Sequence, residues 1–163
     1  MTLDNQLTRT GRVVQAGEGQ RIEAFGSEIR FMLTGEDTGE TLAVGIATVP
    51  AGHGPPPHVH HDEDELFLII EGEYRVCLDG EWTKVGPGGV VYLPRGCAHS
   101  FDVVGETPGR HWALTTSGEF ARFFAKSAEV FSMPGAPDFR RLTALATEHG
   151  YSFLKREATA AAS

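Results

Sequence analysis

Gly52-His53-Gly54-Pro55-Pro56-Pro57-His58-Val59-His60-His61-Asp62-Glu63-Asp64-Glu65 is the most informative stretch of this 163-residue chain. Three prolines hold the backbone extended into His58. In an extended chain His58 and His60 project to one face while Val59 projects to the other, so two imidazoles can converge on one ion. The acidic run makes a bend. Glu65 then opens an apolar segment and can face back toward the same ion. Two histidines and a carboxylate form the ligand set of a facial triad, which leaves positions open for substrate or dioxygen. Further along, Gly88-Gly89-Val90-Val91-Tyr92-Leu93-Pro94-Arg95-Gly96-Cys97-Ala98-His99 reads as a strand, a Pro-Gly turn and a histidine starting another strand. That turn re-aims the chain so that His99 can add a fourth ligand.

Neighbouring residues weigh differently. His53 precedes the proline run and His61 has the opposite parity to His60, so both read as solvated loop residues. Glu63 could replace Glu65 only if the bend were tighter, and Glu65 alone leads directly into the apolar strand. His111, in a late strand, and His149, near a helix end where a cation suits the dipole, read as structural. Cys97 reads as a small buried side chain. Phe67 shares the parity of Glu65, and Phe101 that of His99. Both therefore point inward near the metal, as core packing or as contacts for an aromatic substrate.

Short β-rich segments surround this stretch: 21–25, 28–34, 41–49, 65–70, 74–78, 82–85, 90–93, 99–104 and 112–116. Thr38-Gly39, Asp79-Gly80, Pro87-Gly88-Gly89 and Pro94-Arg95-Gly96 mark turns between them. Many short strands at such spacing predict an all-β sandwich or barrel. The strand Glu65–Ile70 is apolar on both faces, so something outside the barrel, a second copy or the C-terminal segment, must cover one of them. After Ser117 the period becomes helical, with Phe120, Phe123, Phe124 and Ala128 on one face of a first helix. This stripe reads as cover for the core. Asp138 caps a second helix from Phe139 to about His149, ended by Gly150. The expected organisation is an N-terminal arm (1–10), a barrel (11–117) and a C-terminal helical extension packed on the barrel (118–163).

Composition sets outer bounds. The chain is 40% hydrophobic with a formal net charge of −8, which argues against nucleic acid or an anionic membrane as partner. No apolar run approaches the length needed to span a bilayer. Its two cysteines are a poor disulfide framework and suit free thiols in a reducing compartment. The N-terminal residues lack the basic and apolar regions of a signal peptide. A cytoplasmic protein is expected.

Gly52-(five)-His58-Val59-His60-(four)-Glu65-(six)-Gly72 and Gly88-(five)-Pro94-(four)-His99 resemble the two signature motifs of the cupin superfamily. The fifteen residues between Gly72 and Gly88 match the short spacer of its small single-domain members. Val103 departs from the Asn often found four residues after the second-motif histidine, which touches the surroundings of the metal rather than its ligands. The resemblance implies a double-stranded β-helix (jelly-roll) barrel with C-terminal helices. It also implies one divalent transition metal (Fe, Ni, Co, Mn, Cu or Zn) on His58, His60, Glu65 and His99, and a homodimer.

More loosely, Pro57–Phe67 and the C-terminal segment beginning Gly118-Glu119-Phe120-Ala121-Arg122-Phe123-Phe124 resemble bacterial quercetin 2,3-dioxygenase-like monocupins. That implies a metal-dependent dioxygenase opening a flavonol-like ring with O2. Glu65 would be both ligand and general base, and Phe67 and Phe101 would be substrate contacts. A non-catalytic metal-containing binding protein, or a cupin isomerase or hydrolytic enzyme, are the alternatives. Arg95 is the only basic residue within four positions of a ligand, and its place in a turn directs it to solvent, away from any phosphorylated sugar.

Overall fold

Residues 10–155 are described by a computed structural model. The arm expected over 1–10 lies outside them except for Thr10, as does the tail 158–163. In chain order the strands are β1 (Gln20–Ala24), β2 (Ser27–Leu33), β3 (Ala43–Val49), β4 (His58–His60), β5 (Glu65–Glu71), β6 (Glu73–Leu78), β7 (Glu81–Val85), β8 (Val90–Leu93), β9 (His99–Val104), β10 (Gly109–Thr115) and β11 (Tyr151–Phe153). The helices are α1 (Gly35–Thr38), α2 (Glu119–Phe131) and α3 (Phe139–Glu148).

Two antiparallel sheets face each other as a jelly-roll barrel. One runs β1-β2-β3-β10-β5-β8 and the other β11-β4-β9-β6-β7. Side-chain alternation dictates the packing. Along β3 and β10 every second residue is buried, and the inward set of Ile29, Phe31, Val49, Ile69, Val76 and Val103 joins the sheets in one core. Asp79-Gly80 connects β6 to β7 with φ of 48° and 90°, the left-handed pair a two-residue hairpin turn requires. Two glycines of the first motif region sit where no side chain fits. A Cβ on Gly54 would stand 1.7 Å from the Phe101 carbonyl oxygen, and one on Gly72, at φ +82°, would stand 2.7 Å from Gly109 Cα.

Three elements lie beyond the expected pattern. The four-residue α1 is one. The second is that the extended run His58–His60 is a true strand, pairing with β9 at His58↔His99. The third is β11, which follows α3 and pairs with β4, Tyr151↔His60 and Phe153↔His58. The C-terminal extension is therefore not purely helical, since it returns a strand to the barrel. Both α2 and α3 match their expected positions, and the Asp138 carboxylate accepts hydrogen bonds from the Arg140 and Arg141 amides.

The helices do not cover the outer face of β5. Instead α2 packs against β1 and β3. Leu68, Val90 and Tyr92 stay exposed.

Candidate metal centre

Three backbone devices place the four ligand candidates. The proline run delivers β4 with His58 and His60 on its inner face. The bend after His61 returns the chain so that Glu65 opens β5, where it is 3% exposed. The Pro94-Arg95-Gly96 turn is tied back by the Gly96 amide donating to the His60 carbonyl at 2.7 Å, and β9 then starts with His99. One ligand atom from each of His58, His60, Glu65 and His99 lies within 4.8 Å of the others.

The rings are oriented from behind. His58 Nδ1 lies 2.8 Å from the Pro56 carbonyl and His99 Nδ1 lies 3.0 Å from the Cys97 carbonyl, which turns each Nε2 toward the centre. His60 Nδ1 lies 3.1 Å from Glu63 Oε1, and His60 Nε2 lies 3.7 Å from Glu65 Oε2. His99 Nε2 is 3.6 Å from the same oxygen and is buried with no hydrogen-bond partner. A buried nitrogen lacking a partner is costly unless something else satisfies it. Three imidazole nitrogens and one carboxylate oxygen fit a divalent transition metal, which supplies Lewis acidity and lowers the pKa of a bound hydroxyl.

Residues 45–114 match the family model described as a cupin domain. This stretch is a cupin domain.

Over 90 residues the chain is 31% identical to the quercetin 2,3-dioxygenase of Bacillus subtilis, a match that takes in 55% of this chain and 26% of that protein. The chain thus spans about a quarter of that relative's length. Among solved cupin structures, KdgF from Halomonas sp. superposes with a TM-score of 0.59 at 19% identity, covering 66% of this chain and 94% of its own. A predicted oxalate decarboxylase from Thermotoga maritima gives 0.58 at 24%, covering 65% and 99%. Such likenesses establish the fold and leave function to the site.

Electrostatics within this cupin barrel follow from burial and crowding. Desolvation, aided by the neighbouring His99 and His60 rings, pushes His58 down to about 3. Burial works to raise Glu65, but the His60, His99 and His58 rings outweigh it and hold the carboxyl at about 2. Burial likewise opposes charge on His60, yet Glu65 and Glu63 raise it above the ordinary imidazole range.

The remaining expected residues distribute clearly. Phe67 and Phe101 both reach the chamber wall, their ring centroids 5.4 Å apart in an edge-to-face contact. His53 and His61 stay exposed and outside the cluster. His61 Nε2 lies 2.8 Å from Ser152 Oγ. Arg95 turns outward to an ion pair with Asp64. His149 is structural, its Nδ1 2.6 Å from Glu119 Oε2 at the junction of α2 and α3. The Phe120–Phe124 stripe does cover the core, and the same three rings (Phe120, Phe123, Phe124) also line the chamber.

Three features around the ligand set were missed in the sequence reading. Glu63 is no substitute ligand. It is 2% exposed, sits behind His60, and accepts a 2.7 Å hydrogen bond from Tyr151 on β11. Tyr151 carries no local motif, because its importance comes only from the β4–β11 pairing. His111 lines the chamber, packs on Phe67 at 4.4 Å and lies 2.9 Å from the Tyr74 hydroxyl. Its inward parity with Ala113 on β10 was the available signal.

Proposed function

We propose that this cupin is a metal-dependent dioxygenase that opens the ring of a flavonol or similar small aromatic, oxygen-bearing substrate with O2. The observation that carries the reading is the chamber wall. Beside His58, His60 and Glu65 stand Phe67, Phe101, Phe120, Phe123 and Phe124, and among the described residues no Lys or Arg lines the space. An aromatic wall without a cation favours a neutral planar substrate and disfavours a phosphorylated one. The quercetin 2,3-dioxygenase relative supports the same direction.

In this reading His58, His60, Glu65 and His99 hold one divalent transition metal. A divalent metal on these four residues would supply Lewis acidity, lowering the pKa of a hydroxyl brought against it. Glu65 accepts the hydroxyl proton, acting as general base as well as ligand. Phe67 and Phe101 clamp the ring at the reacting edge. The α2 aromatics keep water from the activated anion. Dioxygen adds across the ring, which opens to an ester with release of carbon monoxide. The barrel (11–117) supplies the ligands and the extension (118–163) the roof.

Glu65→Gln, loaded with metal and incubated aerobically with quercetin, tests the assignment. Loss of flavonol bleaching greater than the loss of metal is expected. Equal turnover would sink the general-base role, and metal-loaded wild type that never bleaches quercetin would turn the reading toward a binding protein or another cupin enzyme.

The working unit in this proposal is a cytoplasmic homodimer. Across the outer face of the six-stranded sheet, register places Ile46, Trp112, Leu68 and Val90 in one row and Val44, Leu114, Leu66 and Tyr92 in the next. Such a contiguous apolar face, bordered by the Arg110–Glu71 ion pair, suits a second copy of itself. No helix among the described residues is long and apolar enough to cross a membrane.

A further inference from the structure

Two voids meet at Phe25. The chamber that faces the ligand set has a volume of about 70 Å³, room for a few waters and far below the ~300–1,000 Å³ typical of pockets for larger organic ligands. Beyond Phe25 lies an open groove of about 620 Å³, walled by the β1–β2 turn, Thr48, Pro50 and Pro108, and by Phe131 and Ser132 at the end of α2. Phe25 and Ser27 line both spaces.

The wedge between them is poised to move. Phe25 and Gly26 form the two-residue connection between Ala24 and Ser27, with φ of +54° and +71°. A bulky residue in the left-handed region is disfavoured and persists only where its surroundings hold it. The two-residue turn demands that φ, and the ring is seated against Phe123, Phe124, Phe131 and Phe153 at centroid distances of 5.0 to 5.9 Å. The turn belongs to β1, the terminal strand of its sheet, bonded only to β2. A displaced Phe25 ring would join chamber to groove.

We propose that Phe25 gates the chamber and that the groove is a distal subsite for the part of the substrate remote from the metal. The inference rests on the reading of the chamber as the site of a metal-binding aromatic, and it narrows that class. The metal-binding oxygen and the edge of the ring that carries it enter the chamber. Further coplanar rings pass Phe25 and lie along Pro50, Pro108 and Phe131. On the groove wall Glu23, Glu28, Thr48 and Ser132 present oxygen acceptors. Arg21 pairs with Glu28 at 2.5 Å and with Glu23 at 3.4 Å, which offsets their charge and favours neutral hydroxyls over a cation. The preferred substrate is therefore a multi-ring planar molecule hydroxylated at the end away from the metal.

Titrations of the metal-loaded full chain with quercetin (three rings) and with catechol (one ring) test this. If the open gate is a minor state of ~0.1–10%, Phe25→Ala tightens quercetin binding by about tenfold or more. Catechol, which needs no groove, is left within about twofold. Ser132→Trp fills the groove from an exposed position and weakens quercetin while sparing catechol, so the proposal stays testable even if Phe25→Ala misfolds. The inference is overturned if wild type does not bind quercetin, if either variant moves both probes alike, or if Ser132→Trp leaves quercetin unchanged. Bleaching is read separately. Quercetin bound without turnover defeats the dioxygenase and leaves the gate standing.

Discussion

The Tyr151 hydroxyl donates to Glu63 Oε1 across 2.7 Å, and that same oxygen faces His60 Nδ1 at 3.1 Å. A carboxylate behind a ligating imidazole fixes the ring and raises its basicity, and losing such support weakens metal binding by roughly 10–100-fold. Glu63→Gln and Tyr151→Phe should each weaken metal affinity, the first more than the second. Competition against a chromophoric chelator measures this. Unchanged affinity in both variants would mean that the pair only packs.

His111 makes a pH prediction. Burial lowers it from 6.5 to about 4, so the unfolded chain takes up a proton in that window before the native protein does. Stability therefore falls as pH drops from about 6.5 toward 4, by on the order of 3 kcal/mol from this residue. Urea unfolding of metal-free protein between pH 7.5 and 4.5 should show a shallower acid slope for His111→Gln than for wild type. Parallel slopes would remove His111 as the cause.

Asp138→Ala deletes a cap that satisfies two amides of α3. The expected cost is about 1 kcal/mol, a fall in Tm of about 2–4 °C for a chain of this size. Calorimetry reads it directly, and metal content should not change, because α3 contributes no ligand.

Leu68→Arg places a charge in the middle of the two apolar rows on the outer face. In a homodimer joined through that face, two copies of the charge would meet in a desolvated seam. Sedimentation should then report a monomer, with little change in monomer folding since Leu68 is already 37% exposed. An unaltered mass would place the dimer contact elsewhere.

Much of this molecule is legible from local pattern. The parity of His58 and His60, the position of Glu65 at the head of an apolar strand and the turn before His99 are short-range facts, and they bring the four side chains together as expected. Strand periods and the Asp138 cap are local in the same sense. Tyr151 is different. Three residues of β11 are too few to show a period, and they become a strand only because β4 offers an unpaired edge. Glu63 was rightly set aside as a ligand, but its place behind His60 was missed for a related reason. Its sequence neighbours are acidic and solvated, whereas its actual surroundings come from a strand 88 residues away. Phe25 was hidden by its turn, where a left-handed φ is expected of Asn, Asp or Gly.

The pairing of β4 with β11 also has a consequence in time. A ribosome adding ~5–20 residues per second needs about 4–18 s to travel from Glu63 to Tyr151. Throughout that interval the strand that bears His58 and His60 lacks β11 on one flank, and His60 lacks its full support. An ion captured early would meet a looser, less selective set of donors than the finished barrel presents. Any ion taken up in that interval would be selected by the donors of the nascent chain rather than by those of the finished site.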